Sequence, residues 1–201
     1  MEVTAADKIK DRFSTVQITI VSIFLGLAME DLFSRFSSIE SPSFFAYVIL
    51  ALVSLLVINL WVSYSSMAVC IRLVPKPMDA FMVFGSIMGL YILNFMITRP
   101  AYEFFYVHGV FNLGAALATF YNVHRGLSDD TIDYDPALFR PVYALNVAIF
   151  ILSMAVGLVL HLHLVGQVQE ALLASMVLIC PPAWLWVFWV NFKQAFPVFA
   201  Q

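Results

Sequence analysis

The sequence predicts an all-α protein: a polytopic integral membrane bundle of six transmembrane helices with both termini in the cytoplasm. Three observations predict it. Of 201 residues, 62 % are hydrophobic and 11 % charged, with a mean hydropathy of +0.91; an average soluble domain is roughly 45–50 % apolar and ~25 % charged. The charged residues bracket six uncharged runs, each near the ~20 residues that cross a bilayer. Lys and Arg also alternate in number from loop to loop, as cytoplasmic retention of positive loops requires.

The same composition excludes several classes. Ten Lys and Arg stand against 13 Asp and Glu, with no basic run, so no nucleic-acid partner is expected. The two cysteines, Cys70 and Cys180, both lie inside apolar runs, which is no basis for a disulfide-stapled secreted fold.

Arg12 and Glu30 bracket the first span, residues 13–29. It follows a basic segment, but Gly26-Leu27-Ala28-Met29 offers no small-residue cleavage site, so it reads as a retained helix and not a signal peptide. Glu40 and Arg72 enclose the second span, at 44–65, and Asp79 and Arg99 the third, at 80–98. Glu103 and Arg125 enclose the fourth, at 104–124. Arg140, Glu170 and Lys193 delimit the last two, at 142–165 and 171–192. The two ends and the second and fourth loops carry Lys8, Lys10, Arg12, Arg72, Lys76, Arg125, Arg140 and Lys193; the opposite loops carry only Arg35 and Arg99. That asymmetry places both termini inside, with the plasma (inner) membrane as the expected location and the lipid bilayer as the first partner.

The connections are short. Leu32–Ile39 mixes apolar and polar residues and is expected to lie along the headgroups. The longest loop, 126–139, holds Asp129, Asp130, Asp133 and Asp135 without the spacing of a calcium-binding loop, so it reads as solvated. Trp184, Trp186 and Trp189 with Lys193 read as an aromatic belt at the cytoplasmic interface.

Polar residues fall in stripes on three helices. On the fourth, His108, Asn112, Ala115, Thr119 and Asn122 occupy an arc of about 80°, with Tyr106, Val110, Leu113, Leu117 and Phe120 opposite. The first helix repeats the arrangement with Thr15, Thr19, Ser22, Gly26 and Glu30; the fifth carries Asn146, Ser153, Gly157 and His161. Lipid offers polar groups nothing, so these faces are expected to meet across a hydrated interior. Packing alone also explains Ser and Thr, since small and hydroxyl residues are what close-packed membrane helices use, at only ~0.6–2 kcal/mol per interhelical hydrogen bond. A shorter stripe, Asn59, Ser63, Ser66 and Cys70, lies on the second helix. In the sixth, Pro181 and Pro182 remove two backbone donors and free carbonyls near Val177 and Leu178, a helix break of the kind that borders transport sites.

A channel or transporter follows as the expectation, homo-oligomeric and for cations. Its pathway would be lined by Thr19, Ser22, Glu30, His108, Asn112, Thr119, Asn146 and His161. Glu30, Asp31, Glu103 and Glu170 would form an outer acidic mouth that concentrates cations. The alternative is a membrane-embedded sensor or anchor subunit working through a soluble cytoplasmic protein, docked on the acidic loop and the Arg12 region. A weaker one is an electron carrier, with His108 and His161 on a haem or Glu30, His108 and His161 on a divalent metal. No hydrolase, protease, redox or phosphate-binding motif is present, so no enzyme is expected.

In size, six-helix plan and short loops the chain loosely resembles the small prokaryotic relatives of the lysosomal potassium channel. That family's first helix opens with Arg-x3-Phe-Ser-Asp and lines the pore. The comparable stretch here is Asp11-Arg12-Phe13-Ser14-Thr15, in which only Phe13 and Ser14 match. No functional position is carried over.

Overall fold

The structure, a computed structural model, describes residues 5–70, 77–127 and 135–196. Helix accounts for 91 % of the described residues, with no strand among them, and six helices are long and apolar enough to cross a membrane. The chain is an integral, multi-pass membrane protein.

The helices are α1 (Ala5–Ser37), α2 (Phe44–Cys70), α3 (Pro77–Phe95), α4 (Ala101–Leu127), α5 (Arg140–His161), α6 (Gln167–Met176) and α7 (Cys180–Ala195). Together α6 and α7 form the sixth span. Short 3-10 turns sit at Met96–Thr98, Pro136–Phe139 and Val177–Ile179. We call the end holding residues 38–43, 99–100 and 162–166 the predicted outer end.

Helix α1 runs on through the stretch expected to lie along the headgroups. It ends at Ser37, beyond which the Ser38 hydroxyl donates to the Arg35 carbonyl at 2.7 Å. Asp31 and Arg35 pair across one turn at 2.9 Å, and Leu32, fully buried, extends the packed face formed by Val21, Leu25 and Ala28. At the far end of α5, the backbone turns through His163 in the left-handed region (φ 48). The Leu164 amide then donates to the Val159 carbonyl at 3.3 Å, a Schellman closure built without glycine.

Helix α2 passes through the middle of the bundle, touching α1, α3, α4, α6 and α7, while α4 and α5 form the most extensive pair. Small residues let α4 and α5 approach: a Cβ on Gly157 would lie 2.8 Å from the Tyr106 ring, and one on Gly109 would lie 3.0 Å from the Met154 sulfur. The outward faces are apolar. Val110, Leu117 and Phe120 on α4 and Phe81, Met88 and Ile92 on α3 are exposed, as lipid-facing positions should be.

The sixth span breaks where the sequence places its two prolines. α6 ends one turn before them, and Pro181 and Pro182 follow Cys180 in the first turn of α7, where proline is tolerated. The Cys180 amide donates to the Val177 carbonyl through the 3-10 turn. Both helical donors that would serve the Leu178 carbonyl are replaced by proline.

Candidate functional site

The polar stripes of α4 and α5 face one another. His108 and Ser153 are buried, and His108 Nδ1 lies 2.8 Å from Ser153 Oγ. Asn112, one turn along α4, donates through Nδ2 to the His108 carbonyl at 2.8 Å and to His108 Nε2 at 3.2 Å. Asn112 therefore makes Nε2 an acceptor, and Nδ1 carries the proton toward Ser153: one neutral tautomer satisfies all these contacts. Phe104 stacks on the ring at 5.7 Å. In this tautomer the ring's one lone pair, on Nε2, faces the Asn112 amide.

Beside this cluster lies a cavity of about 50 Å³, near mid-span on α2, α4, α5 and α7. A buried water needs about 10–15 Å³ by the same measure, so it has room for a few waters or for one small solute with water around it. Its polar wall comprises Asn59, His108, Asn112, Asn146 and Pro181; Leu56, Leu60, Phe111, Ile149 and Trp184 supply much of the apolar remainder. Asn59 Nδ2 donates to the Pro181 carbonyl at 2.9 Å. Asn146 is only 2 % exposed, and its Nδ2 has no partner. That Nδ2 is an orphaned donor within the packing, out of reach of water.

Apolar layers lie on both sides of the cavity. Toward the predicted outer end stand Leu52, Phe104, Phe105, Val156 and Val177 of the main core. Toward the other end stand Val142, Phe188 and Phe192, packed with Val62 and Phe139. Trp184, Phe188 and Phe192 stack in series along α7, at 5.2 and 5.7 Å. Trp184 therefore belongs to the cavity wall and not to the belt expected from sequence. Trp186 is exposed, and Trp189 holds Lys193 at 5.4 Å over its ring.

Other expected site residues lie elsewhere. The polar side of α1 does not join those of α4 and α5, because α1 packs on α2 and α3 through Val21, Leu25, Ala28 and Leu32. Thr15, Thr19, Gly26 and Glu30 consequently lie on the outside of the chain, and Ser22 is half-buried, 3.3 Å from Trp61 Nε1. Thr119 donates to the Ala115 carbonyl on its own helix at 2.9 Å. His161 is exposed at the predicted outer end, stacked on Tyr102 at 4.5 Å and 3.3 Å from the Tyr106 hydroxyl.

Nor do the four acids form a common mouth. Asp31 is bound to Arg35 and to Asn94, and Glu170 lies against His163 at 3.3 Å. Glu30 and Glu103 stand on helices that do not pack together. Among the described residues, no three His, Cys, Asp or Glu side chains are gathered to hold a metal, so Glu30, His108 and His161 are separate. Asp129, Asp130, Asp133 and the Arg12 side chain lie outside the described residues; Asp135 accepts from the Ala137 amide at 2.9 Å.

Comparison of the chain with family models, with curated proteins and with solved structures gives no match.

Two buried groups carry no periodic signal in the sequence. Asn94, the one asparagine of α3 and fully buried, donates to the Ala28 carbonyl at 2.7 Å and to Asp31 at 3.1 Å, tying α3 to α1. Arg125, read only as a span boundary, is buried and pairs with Asp79 at 2.6 Å, tying α4 to α3. A single Asn within an apolar run was the available signal for the first.

Proposed function

We propose that the chain is a small membrane transport protein, channel or carrier, for a cation, with the mid-span cavity as its cargo site. The observation that carries this reading is a cavity of about 50 Å³ with Asn59, His108, Asn112 and Asn146 in its wall, beside a broken helix. Irregular backbone at membrane depth is tolerated where it borders a polar cavity, and transporters place their sites at such breaks. The pathway then follows α2, α4, α5 and α7, with apolar layers above and below the cavity. No Lys or Arg is among the described residues that line the cavity.

Orientation follows from the Lys and Arg asymmetry: both termini are cytoplasmic and the inner or plasma membrane is the site of action. The outward polar side of α1 has a role in the same reading. Thr15, Thr19 and Glu30 stand on the exposed side of α1; the Thr19 hydroxyl already donates to the Thr15 carbonyl at 2.9 Å, so it is Glu30 that lipid serves poorly. A second copy seated on α1 would cover it, so the transporter is a homo-oligomer.

The test is flux. Protein reconstituted in liposomes with an imposed Na⁺ or K⁺ gradient should dissipate it, and Asn146→Leu should slow that at least tenfold. Liposomes that stay tight to every small cation with wild-type protein would remove the proposal.

A further inference from the structure

We propose that Arg35 and Arg99 hold the phosphate of an anionic phospholipid at the predicted outer end, with the exposed face of α3 as the bed for its acyl chains. The two guanidinium groups reach one ring from different elements. The Arg35 guanidinium carbon lies 5.6 Å from the centroid of the Phe95 ring, and that of Arg99 lies 5.1 Å from it. Arg35 comes from the last turn of α1, and Arg99 from the bend that follows the 3-10 turn Met96–Thr98. The Arg99 amide donates to the Met96 carbonyl at 2.9 Å, and its backbone is extended (φ -105, ψ 167), as the residue before a proline prefers.

Most of their donors are not spent on the protein. Arg35 gives its Nε–H to Asp31 at 2.9 Å, which leaves both of its terminal NH₂ groups. Asp31 is itself positioned by the buried Asn94, which donates to it at 3.1 Å and to the Ala28 carbonyl at 2.7 Å. Arg35 is therefore oriented from the core. Arg99 makes no side-chain hydrogen bond or ion pair among the described residues. A cation held over an aromatic ring uses none of its N–H groups there. Asp31 offsets one of the two positive charges, and the other remains. Planar guanidinium forks of this kind are what phosphate oxygens take in pairs.

A lipid is the source of that phosphate because of what continues from Phe95. Phe95, Ile92, Met88, Phe84 and Phe81 are all exposed and follow one another along α3 at spacings of three and four, so they share one face. At 1.5 Å per residue the stripe runs about 21 Å, more than the ~15 Å of one leaflet's hydrocarbon. A free phosphate gains nothing from such a stripe, whereas two acyl chains lie along it. Phe95 is the joint, under both guanidinium groups and at the head of the apolar face. A choline or ethanolamine head would bring a further cation to the two arginines, and both Asp31 oxygens are already engaged by Arg35. The head is therefore anionic.

Native mass spectrometry of the full-length protein, released from detergent with added phosphatidylglycerol, phosphatidylcholine, diacylglycerol or inorganic phosphate, tests this. Phosphatidylglycerol should give the tightest first adduct of the four. Arg99→Gln, which breaks no hydrogen bond or ion pair in the fold, should weaken that adduct by about tenfold, as loss of a charge-assisted bond implies. Lys193→Gln removes the same charge at the opposite end and should leave the adduct unchanged. Diacylglycerol that binds as tightly would show adhesion to the apolar stripe alone, and inorganic phosphate that binds as tightly would show a site for free anions; either result overturns the inference. So does phosphatidylcholine that equals phosphatidylglycerol, Arg99→Gln with wild-type binding, or Lys193→Gln that weakens the adduct as much as Arg99→Gln.

Discussion

Asn59 Nδ2 on α2 donates at 2.9 Å to the carbonyl oxygen of Pro181 on α7, joining residues 122 positions apart at the middle of the bundle. The bond holds the first turn of α7 against the central helix and fixes one wall of the cavity. Polar bonds between membrane helices are modest, ~0.6–2 kcal/mol, because the alternative states also find partners. Asn59→Leu should therefore cost about 1 kcal/mol and lower Tm by about 2–4 °C, a change that differential scanning fluorimetry resolves. An unchanged Tm would mean that α7 is held by its aromatic contacts alone.

The Asp79–Arg125 pair gives a larger and more diagnostic effect. Both side chains are mostly buried, and the contact is 2.6 Å. Removing one member of a buried pair leaves the other charged and poorly solvated, typically costing about 3–5 kcal/mol, whereas replacing both with apolar residues is much milder. Asp79→Leu should thus destabilise severely, and Asp79→Leu with Arg125→Met should recover most of the loss. If the double variant is as unstable as the single, the pair does not act as a unit.

The α4–α5 contact depends on the absence of a side chain at position 157. A Cβ there would sit 2.8 Å from the Tyr106 ring and 3.3 Å from the Tyr102 carbonyl, so Gly157→Ala must displace one helix or one ring. Overpacking of this kind costs about 1–3 kcal/mol. Tyr106→Ala should relieve the clash, so that Gly157→Ala costs markedly less in that background; the coupling is read from a double-mutant cycle on Tm. Strictly additive losses would show that α5 is not positioned by this contact.

These contacts also mark how far the sequence could be read. The six spans were legible because lipid enforces length and apolarity on each segment separately. The α4 stripe was legible for the same reason: lipid strips polar residues from one face, and Val110, Leu117 and Phe120 show which. The α1 stripe has the same periodicity, yet its polar side turns outward, because a pattern shows that two faces differ and not what each one meets. Asn94 and the Asp79–Arg125 pair depend on partners on other helices, which periodicity along one helix cannot register. Trp184 was grouped with Trp186 and Trp189 by proximity in sequence. Its i, i+4 partners, Phe188 and Phe192, were the better guide to its face.

The proline pair offers the strongest test of the cavity itself. Across Val177–Ile179 the chain turns at about 120° per residue in place of 100°, so three 3-10 residues rotate α7 by roughly 60° relative to a continuous α-helix. Pro181→Ala with Pro182→Ala returns the two missing donors to the Val177 and Leu178 carbonyls and removes the reason for that turn. A continuous helix would swing Cys180 and Trp184 away from Asn146 and dismantle the α7 wall. Amides from 180 to 184 should then become more protected in hydrogen exchange, and Tm should hold or rise. In a Cys70→Ser background, Cys180 should react at least several-fold more slowly with a small thiol reagent, and flux through reconstituted vesicles should fall with it. Protection without loss of flux would mean that the break shapes packing only. Loss of flux with a stable, straightened helix would show that the cavity exists because the helix is interrupted.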